Sequence, residues 1–366
     1  MFSMRTFGLL LSLTLLLSAC QPINLGNIAL PAPTTASEAT LPASVAESEA
    51  TLPDLGTLQI AYVPVLAFTP LFVAAEKGYF AEQGLQVELQ RVRNVDEMLA
   101  PLSTGQLDIS LTGATTGFFN AMQQALDFRI VAGGNAAVNT SKGDPVLVVS
   151  KALMDSGAVS TVADLKGRKL AINLRGSALE YLLSKALEQA GLTLDDVELV
   201  TIPGGEMLAA LANGAVDGAI AGGLNTQRMI NEGVAVKLLA DNEIIQSGQG
   251  GVVVVGQRLL QPANREVTIR ILVAFLQAVR DLNENGWDNP EIIGIIQKYT
   301  EMEPALIARS AFPLFESNGA LDEASIMDVQ AFQISRGYVE YTEALPVAQM
   351  TDLTFLSEAL ARIEQK

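Results

Sequence analysis

Histidine is absent from the sequence, and cysteine occurs once, at Cys20, in 366 residues. Without histidine there is no Ser-His or Cys-His pair to activate a nucleophile, and no imidazole to ligate zinc. A single cysteine excludes an intramolecular disulfide. No paired-carboxylate motif takes their place, so no catalytic residue and no cofactor is implied, and an enzyme is not expected. Positive charge is also scarce. Lys and Arg number 23 against 40 Asp and Glu, a net charge of −17. Such a chain lacks the cationic face that nucleic acids and anionic membrane surfaces attract.

The N-terminus is the most specific feature present. Met1–Thr6 carries one positive charge, Arg5, and Phe7–Leu17 is an almost unbroken apolar run of eleven residues. That is the length of a signal-peptide core and too short for a helix across about 30 Å of hydrocarbon. The run ends in Leu17-Ser18-Ala19-Cys20, which resembles the bacterial lipobox. The resemblance implies a signal peptide over residues 1–19 and a lipidated Cys20. It places the protein on the extracytoplasmic face of the cell membrane, held there by its N-terminal lipid. Residues 20–56 then read as a disordered tether rich in Ala, Pro, Ser, Thr and Glu, in which Ser-Glu-Ala-Thr-Leu-Pro occurs at Ser37–Pro42 and again at Ser48–Pro53. Such a segment buries too little apolar surface to offset the entropy of ordering it.

The body shows one pattern twice. A strand at 58–63, a loop at 64–69, a helix at 70–83, a strand at 87–89, a helix through 98–102 and a strand at 109–111 make β-α-β-α-β, the signature of a parallel sheet. Lys169–Asn173, Ala178–Ala190 and Val197–Leu199 repeat the order. Leu102-Ser103-Thr104-Gly105-Gln106-Leu107-Asp108 is echoed by Leu211-Ala212-Asn213-Gly214-Ala215-Val216-Asp217. From about residue 263 the chain is helical, at 265–284, 289–300, 304–312, 322–336 and 351–364. The economical arrangement is an α/β chain in two lobes. Residues 57–140 and 250–366 form the first lobe with the C-terminal helices, residues 141–249 form the second, and the two crossings act as a hinge.

Phe72-Val73-Ala74-Ala75-Glu76-Lys77-Gly78-Tyr79-Phe80 with Gly84-Leu85, Asp164-Leu165-Lys166-Gly167 before a strand, and Gly176-Ser177 opening a helix resemble a known family. It is the class of ABC-importer solute-binding proteins that serves nitrate, alkanesulfonates, taurine and thiamine-pyrimidine precursors. The resemblance covers roughly residues 57 to 260. It implies a type II periplasmic-binding-protein fold, each lobe a mixed, mostly parallel sheet flanked by helices. It further implies a monomer that closes around its solute and docks on an ABC permease with its ATPase. Where many relatives carry a bulky aromatic or acidic run, this chain reads Ala221-Gly222-Gly223-Leu224-Asn225, which leaves room and argues against nitrate. Fungal thiamine-pyrimidine synthases share the fold class but depend on histidine, so their activity is not expected.

In open α/β sheets ligands bind beyond the carboxyl ends of the strands. The loops there are 64–69, 113–118, 174–177, 203–205 and 221–225. They nominate Phe68 and Thr69, then Gly113, Thr115 and Thr116 at a helix start, then Arg175, Gly176 and Ser177, with Asn135 and Asn225 at loop ends. Phe68 is a candidate to stack on a ring, and Arg175 to pair with an anion or to stack. Phe118, Phe119, Trp287 and Tyr338 read as packing residues. Hydroxyls, glycines, amides, one arginine and one aromatic suit a flat, polar, weakly charged solute. The resemblance then implies riboflavin or a thiamine pyrimidine, since the thiamine-pyrimidine branch of the family and its riboflavin-binding relatives fit that description. Taurine or an alkanesulfonate is the alternative. A lipoprotein sensor or adaptor, or an enzyme on the same fold, is the alternative from another class.

Overall fold

Among the described residues, ten strands fall into two sheets. The computed structural model describes residues 53–137, 145–308, 310 and 312–365. The expected signal peptide, Cys20, all but the end of the tether and the middle of the first crossing lie outside the described residues. The strands are β1 (Leu58–Tyr62), β2 (Val87–Arg91), β3 (Ile109–Thr112), β4 (Phe128–Gly133), β5 (Pro145–Ser150), β6 (Lys169–Ile172), β7 (Glu198–Thr201), β8 (Gly218–Ile220), β9 (Ala235–Ala240) and β10 (Val252–Gly256).

The first sheet has the order β2-β1-β3-β10-β4 and the second β7-β6-β8-β5-β9. The two orders are equivalent position by position. β1 pairs parallel with β2 and β3, as β6 does with β7 and β8. The fourth strand is the one that has just crossed over: β10 is antiparallel to β3 and β4, and β5 to β8 and β9. Each sheet is therefore mixed, with a single reversed strand. β10 reads Val-Val-Val-Val-Gly and every residue is buried. A continuous β-branched run is what a strand covered on both faces requires.

Side-chain alternation sets the layers. In β5, Leu147 and Val149 point into one core of the second lobe, with Leu170 and Ile172 of β6. Val148 and Ala171 point to the opposite core, with Met207 and Leu211. The helix Ala178–Glu188 buries Leu182, Leu183, Ala186 and Leu187 in the first of these, the i, i+1, i+4, i+5 stripe of an amphipathic helix. The first lobe has one larger core, because the helices Arg265–Asn285 and Thr354–Glu364 pack onto it through Leu272, Phe275, Phe355 and Ala359.

Two expected helices are shorter than their sequence pattern. The stretch 70–83 is two helices, Thr69–Glu76 and Tyr79–Glu82, separated at Gly78, whose φ of 80° is left-handed. The stretch 304–312 is helical only over Pro304–Ile307. Pro313 pushes the residue before it toward extended backbone, and the Phe312 ring stacks on Trp287 at 5.0 Å.

Candidate functional site

A cavity of about 430 Å³ lies between the two sheets, lined from the first lobe by Gly113–Gly117 and from the second by Leu174–Ala178. Both segments are loops that leave the carboxyl end of a strand and start a helix. Thr115 is the N-cap of the helix Thr116–Gln123: its Oγ1 accepts from the Phe118 N–H at 3.0 Å and donates to Asp96 Oδ1 at 2.8 Å. Ser177 caps Ala178–Glu188, its Oγ accepting from the Glu180 N–H at 3.3 Å. Two helix N-termini, each with a partial positive charge, thus face one space from opposite sides.

The lobes nearly touch at this point. Gly176 has φ 71°, and a Cβ built there would sit 2.6 Å from Thr116 Oγ1. Gln333, on the C-terminal helix Glu323–Ser335, joins the two. Its Oε1 accepts from Thr116 Oγ1 at 2.8 Å and its Nε2 donates to the Gly176 carbonyl at 2.8 Å. The same helix gives Ser325 and Val329 to the cavity wall. Its Phe332 meets the ring of Tyr181 edge-on at 5.6 Å, and the Tyr181 hydroxyl donates to Asp328 at 2.5 Å. Burial, and then the Asp328 carboxylate, raise the Tyr181 pKa well above that of an ordinary phenol, so this hydroxyl stays a donor.

Arg175 lines the cavity, but its charge is already paired. Its guanidinium donates to Glu180 Oε1 at 3.2 Å and to the Leu199 carbonyl at 3.0 Å. The Glu180 side chain is fully buried. It also accepts the Gly176 N–H at 2.6 Å and the Tyr338 hydroxyl at 2.8 Å. Tyr338, expected to be a packing residue only, is therefore also a hydrogen-bond donor across the cleft. The second crossing closes the floor. Asn135, Gln249 and Gly250 line the cavity, Gln249 Nε2 donates to the Asn135 and Gly251 carbonyls, and the Gly250 N–H donates to the Asn135 carbonyl at 2.9 Å.

Of the residues nominated by sequence, Gly113, Thr115, Thr116, Asn135, Arg175, Gly176 and Ser177 line this cavity. Phe68, Thr69 and Asn225 do not. Phe68 ends a short 3₁₀ turn that aims its ring into the first-lobe core, where it is 3 % exposed. A ring with no free face cannot stack on a solute. Thr69 is fully buried, and its Oγ1 has no hydrogen-bond partner among the described residues. Asn225 lies against Gly204, where an added Cβ would come 2.6 Å from its Nδ2. Among the described residues, loops 64–69, 203–205 and 221–225 supply nothing to the wall. Asp96, Tyr181, Gln249, Ser325, Val329 and Gln333 were not nominated. Ser325, Val329 and Gln333 sit on a helix more than 200 residues from Thr116 in sequence, and no local pattern reveals where a distant helix docks. Among the described residues no His, Cys, Asp and Glu cluster is placed to hold a metal ion. No helix there is long and apolar enough to cross a membrane.

Comparison with known proteins places this geometry. Riboflavin-binding protein RibY of Chloroflexus aurantiacus is 26% identical over 288 residues, 78% of this chain and 76% of that protein. The periplasmic aliphatic sulphonate binding protein SsuA of Escherichia coli has a similar fold, with a TM-score of 0.65, 19% identity, and coverage of 81% of this chain and 92% of SsuA. The desulfurization enzyme DszB also shares the fold, at a TM-score of 0.59 and 16% identity over 84% of this chain and 99% of DszB. Residues 52–296 match the model of the NMT1-like family, and the chain belongs to that family, in the two-lobed fold of the periplasmic solute-binding proteins.

Proposed function

We propose that the protein is the extracytoplasmic solute-binding component of an ABC import system and that it captures a small polar organic solute without net negative charge. The observation that carries this reading is the inter-lobe cavity whose one arginine, Arg175, is neutralised by buried Glu180. At about 430 Å³ the cavity falls within the usual span of about 300–1,000 Å³ for small-molecule sites, which is far larger than nitrate needs. Its polar wall is hydroxyls, amides and backbone groups with the Asp96 carboxylate and the paired Arg175, and its apolar wall includes Leu174, Leu182, Ile245 and Val329. The similarity to RibY supports riboflavin as the first candidate, with a thiamine pyrimidine as the second. The similarity to SsuA supports an alkanesulfonate, but the paired Arg175 weighs against it. An enzymatic role is the reading that the DszB likeness would favour. With no histidine, and with Cys20 as the only cysteine, the described residues offer neither imidazole nor thiol.

In this reading Cys20 carries the lipid anchor, the closed lobes dock on a permease, and the permease's ATPase drives release. Calorimetry of the mature chain against riboflavin, a formylaminopyrimidine, taurine and methanesulfonate tests the proposal. One-to-one binding of an uncharged member with the solute recovered unchanged is expected. A chemically altered solute would establish an enzyme instead.

A further inference from the structure

Glu180 is the most deeply buried carboxylate of the second lobe, and its position is unusual for what surrounds it. The loop Leu174–Ser177 and the helix it opens assemble the parts of an anion site: a guanidinium, a loop N–H and an eleven-residue helix N-terminus. That site faces the cavity through Arg175, Gly176 and Ser177. It is not left for a ligand. Glu180, in the first turn of the same helix, folds its carboxylate back onto Arg175 and the Gly176 N–H. Tyr338 adds a third donor from the far side of the cleft. The Glu180 side chain has no exposed surface, whereas that of Arg175 is 41% exposed. The buried charge therefore belongs to the protein, and the cavity sees a neutral pair. The opposite wall carries a carboxylate of its own, Asp96, held against Thr115.

We infer that Glu180 is the specificity-determining residue of the cleft, an internal anion that occupies the second-lobe anion site and so excludes acidic solutes. An incoming sulfonate or carboxylate meets no net positive charge at Arg175 and is repelled by the carboxylate behind it. A neutral polar solute meets no such repulsion and can still contact the part of Arg175 that is exposed to the cavity. The inference rests on the solute-binding reading above and names the residue that keeps acidic solutes out.

Glu180→Gln tests it, because glutamine keeps the volume and an acceptor for the Tyr338 hydroxyl while removing the charge. Methanesulfonate is titrated against the wild type, Glu180→Gln and the double variant Glu180→Gln/Arg175→Met. A thermal melt confirms that each is folded. The expected result is no methanesulfonate binding to the wild type at millimolar concentration. Glu180→Gln should gain at least tenfold, and the gain should weaken with added salt and vanish in the double variant. A residue that only holds the loop in shape would give no salt-dependent gain that needs Arg175. Wild-type binding of methanesulfonate as tight as that of Glu180→Gln overturns the inference, and so does a folded Glu180→Gln that gains nothing. If Glu180→Gln does not fold, the wild-type titration decides alone, since millimolar binding there contradicts an internal anion. The outcomes are separable from those of the functional reading. A wild type that binds riboflavin while Glu180→Gln gains no anion keeps the function and loses the selector. A wild type that binds no neutral solute while Glu180→Gln gains methanesulfonate does the reverse.

Discussion

The motif Leu-x-x-Gly-x-x-Asp occurs once beside each sheet, and its two aspartates make the same bonds at different depths. Asp108 accepts the Gln59 N–H at 2.7 Å and returns its own N–H to the Gln59 carbonyl at 2.9 Å. Asp217 accepts the Lys169 N–H at 2.8 Å and returns its N–H to the Lys169 carbonyl at 2.8 Å. Each aspartate fastens the turn before a central strand to the neighbouring strand. Their surroundings differ. Asp108 is 1% exposed and forms a two-pronged pair with Arg258, whereas the Asp217 side chain is 29% exposed and Arg168 stands 3.8 Å away. The strand pairings explain why. Val255 sits opposite Ile109 as Val149 sits opposite Gly218, so the place of Arg258 after β10 is taken by Ala152 after β5. One substitution at an equivalent position turns a shared local device into a buried ion pair in one lobe only.

The sharpest way to break that comparison is to remove each carboxylate in turn. Asp108→Asn leaves Arg258 without its partner, and urea denaturation should show a loss of about 3 kcal/mol, the scale for breaking a buried pair. Asp217→Asn should lose about 1 kcal/mol or less, as exposed pairs do. Equal losses would mean that burial does not set the difference.

The two glycines that open the facing loops make the next comparison. Gly176 has φ 71° and no room beside Thr116 Oγ1, while a Cβ on Gly113 would find its nearest neighbour at 3.6 Å. Gly176→Ala should therefore cost about 1–3 kcal/mol from backbone strain alone and hold the lobes apart, which small-angle scattering would detect as an enlarged radius. Gly113→Ala should change stability by under about 1 kcal/mol. A Gly176→Ala protein as stable and as closed as the wild type would refute the close approach.

Only the first sheet packs against the helices Arg265–Asn285 and Thr354–Glu364, and Glu266 joins these two. It accepts from Arg362 at 2.6 and 2.7 Å and from Arg270 at 2.8 Å. The Arg362 hydrogen bonds hold its pKa down at about 2, against 4.5 unperturbed, despite opposing burial. A carboxylate depressed on folding stabilises above its unfolded pKa, and the benefit fades as pH falls from about 4.5 toward 2. The full effect is of order 3 kcal/mol, and partial exposure reduces it to about 1–2 kcal/mol. Glu266→Gln should lose that amount at pH 7 and show a flatter stability profile below pH 4.5. An unchanged acid profile would rule out the clamp.

The sheets were legible because each rests on short-range signals: alternating or continuous apolar runs, and glycines before strands. The two aspartates were visible as an echo, but their unequal burial was not, since Arg258 arrives 150 residues after Asp108. The same separation in sequence explains the gaps at the candidate site. Thr115 and Ser177 could be placed at the cavity from sequence because helix caps are local. Neither the place of Gln333 on the cavity wall nor the bond of Tyr338 to Glu180 is legible locally, because both depend on how a C-terminal helix packs. Arg175 was read as an open cation, although Glu180 lies only five residues further on. Spacing alone does not say that a side chain folds back onto its own helix start. Phe68 lies away from the cavity for the opposite reason, since a loop at a strand end can still turn its ring inward.

The smallest effects should come from the pair of turns after β3 and β8, and they test which loops form the wall. The strand register aligns Ile109 with Gly218, so Thr115 and Thr116 correspond in position to Leu224 and Asn225. In the first lobe Thr115 caps its helix with a side-chain hydrogen bond. In the second lobe the cap is Gly222, which has no side chain to bond. Asn225 lies inside the first turn of the helix Gly223–Asn231, with its side chain against Gly204 instead of the cavity. Thr115→Ala should therefore lose about 1 kcal/mol for the missing cap, together with solute affinity. Asn225→Ala should stay within about 0.5 kcal/mol of the wild type and bind solute with unchanged affinity. Denaturation and calorimetry on both variants measure this. A clear loss of affinity in Asn225→Ala would bring the loop 221–225 back into the site and return the second-lobe wall to the place that strand order alone suggested.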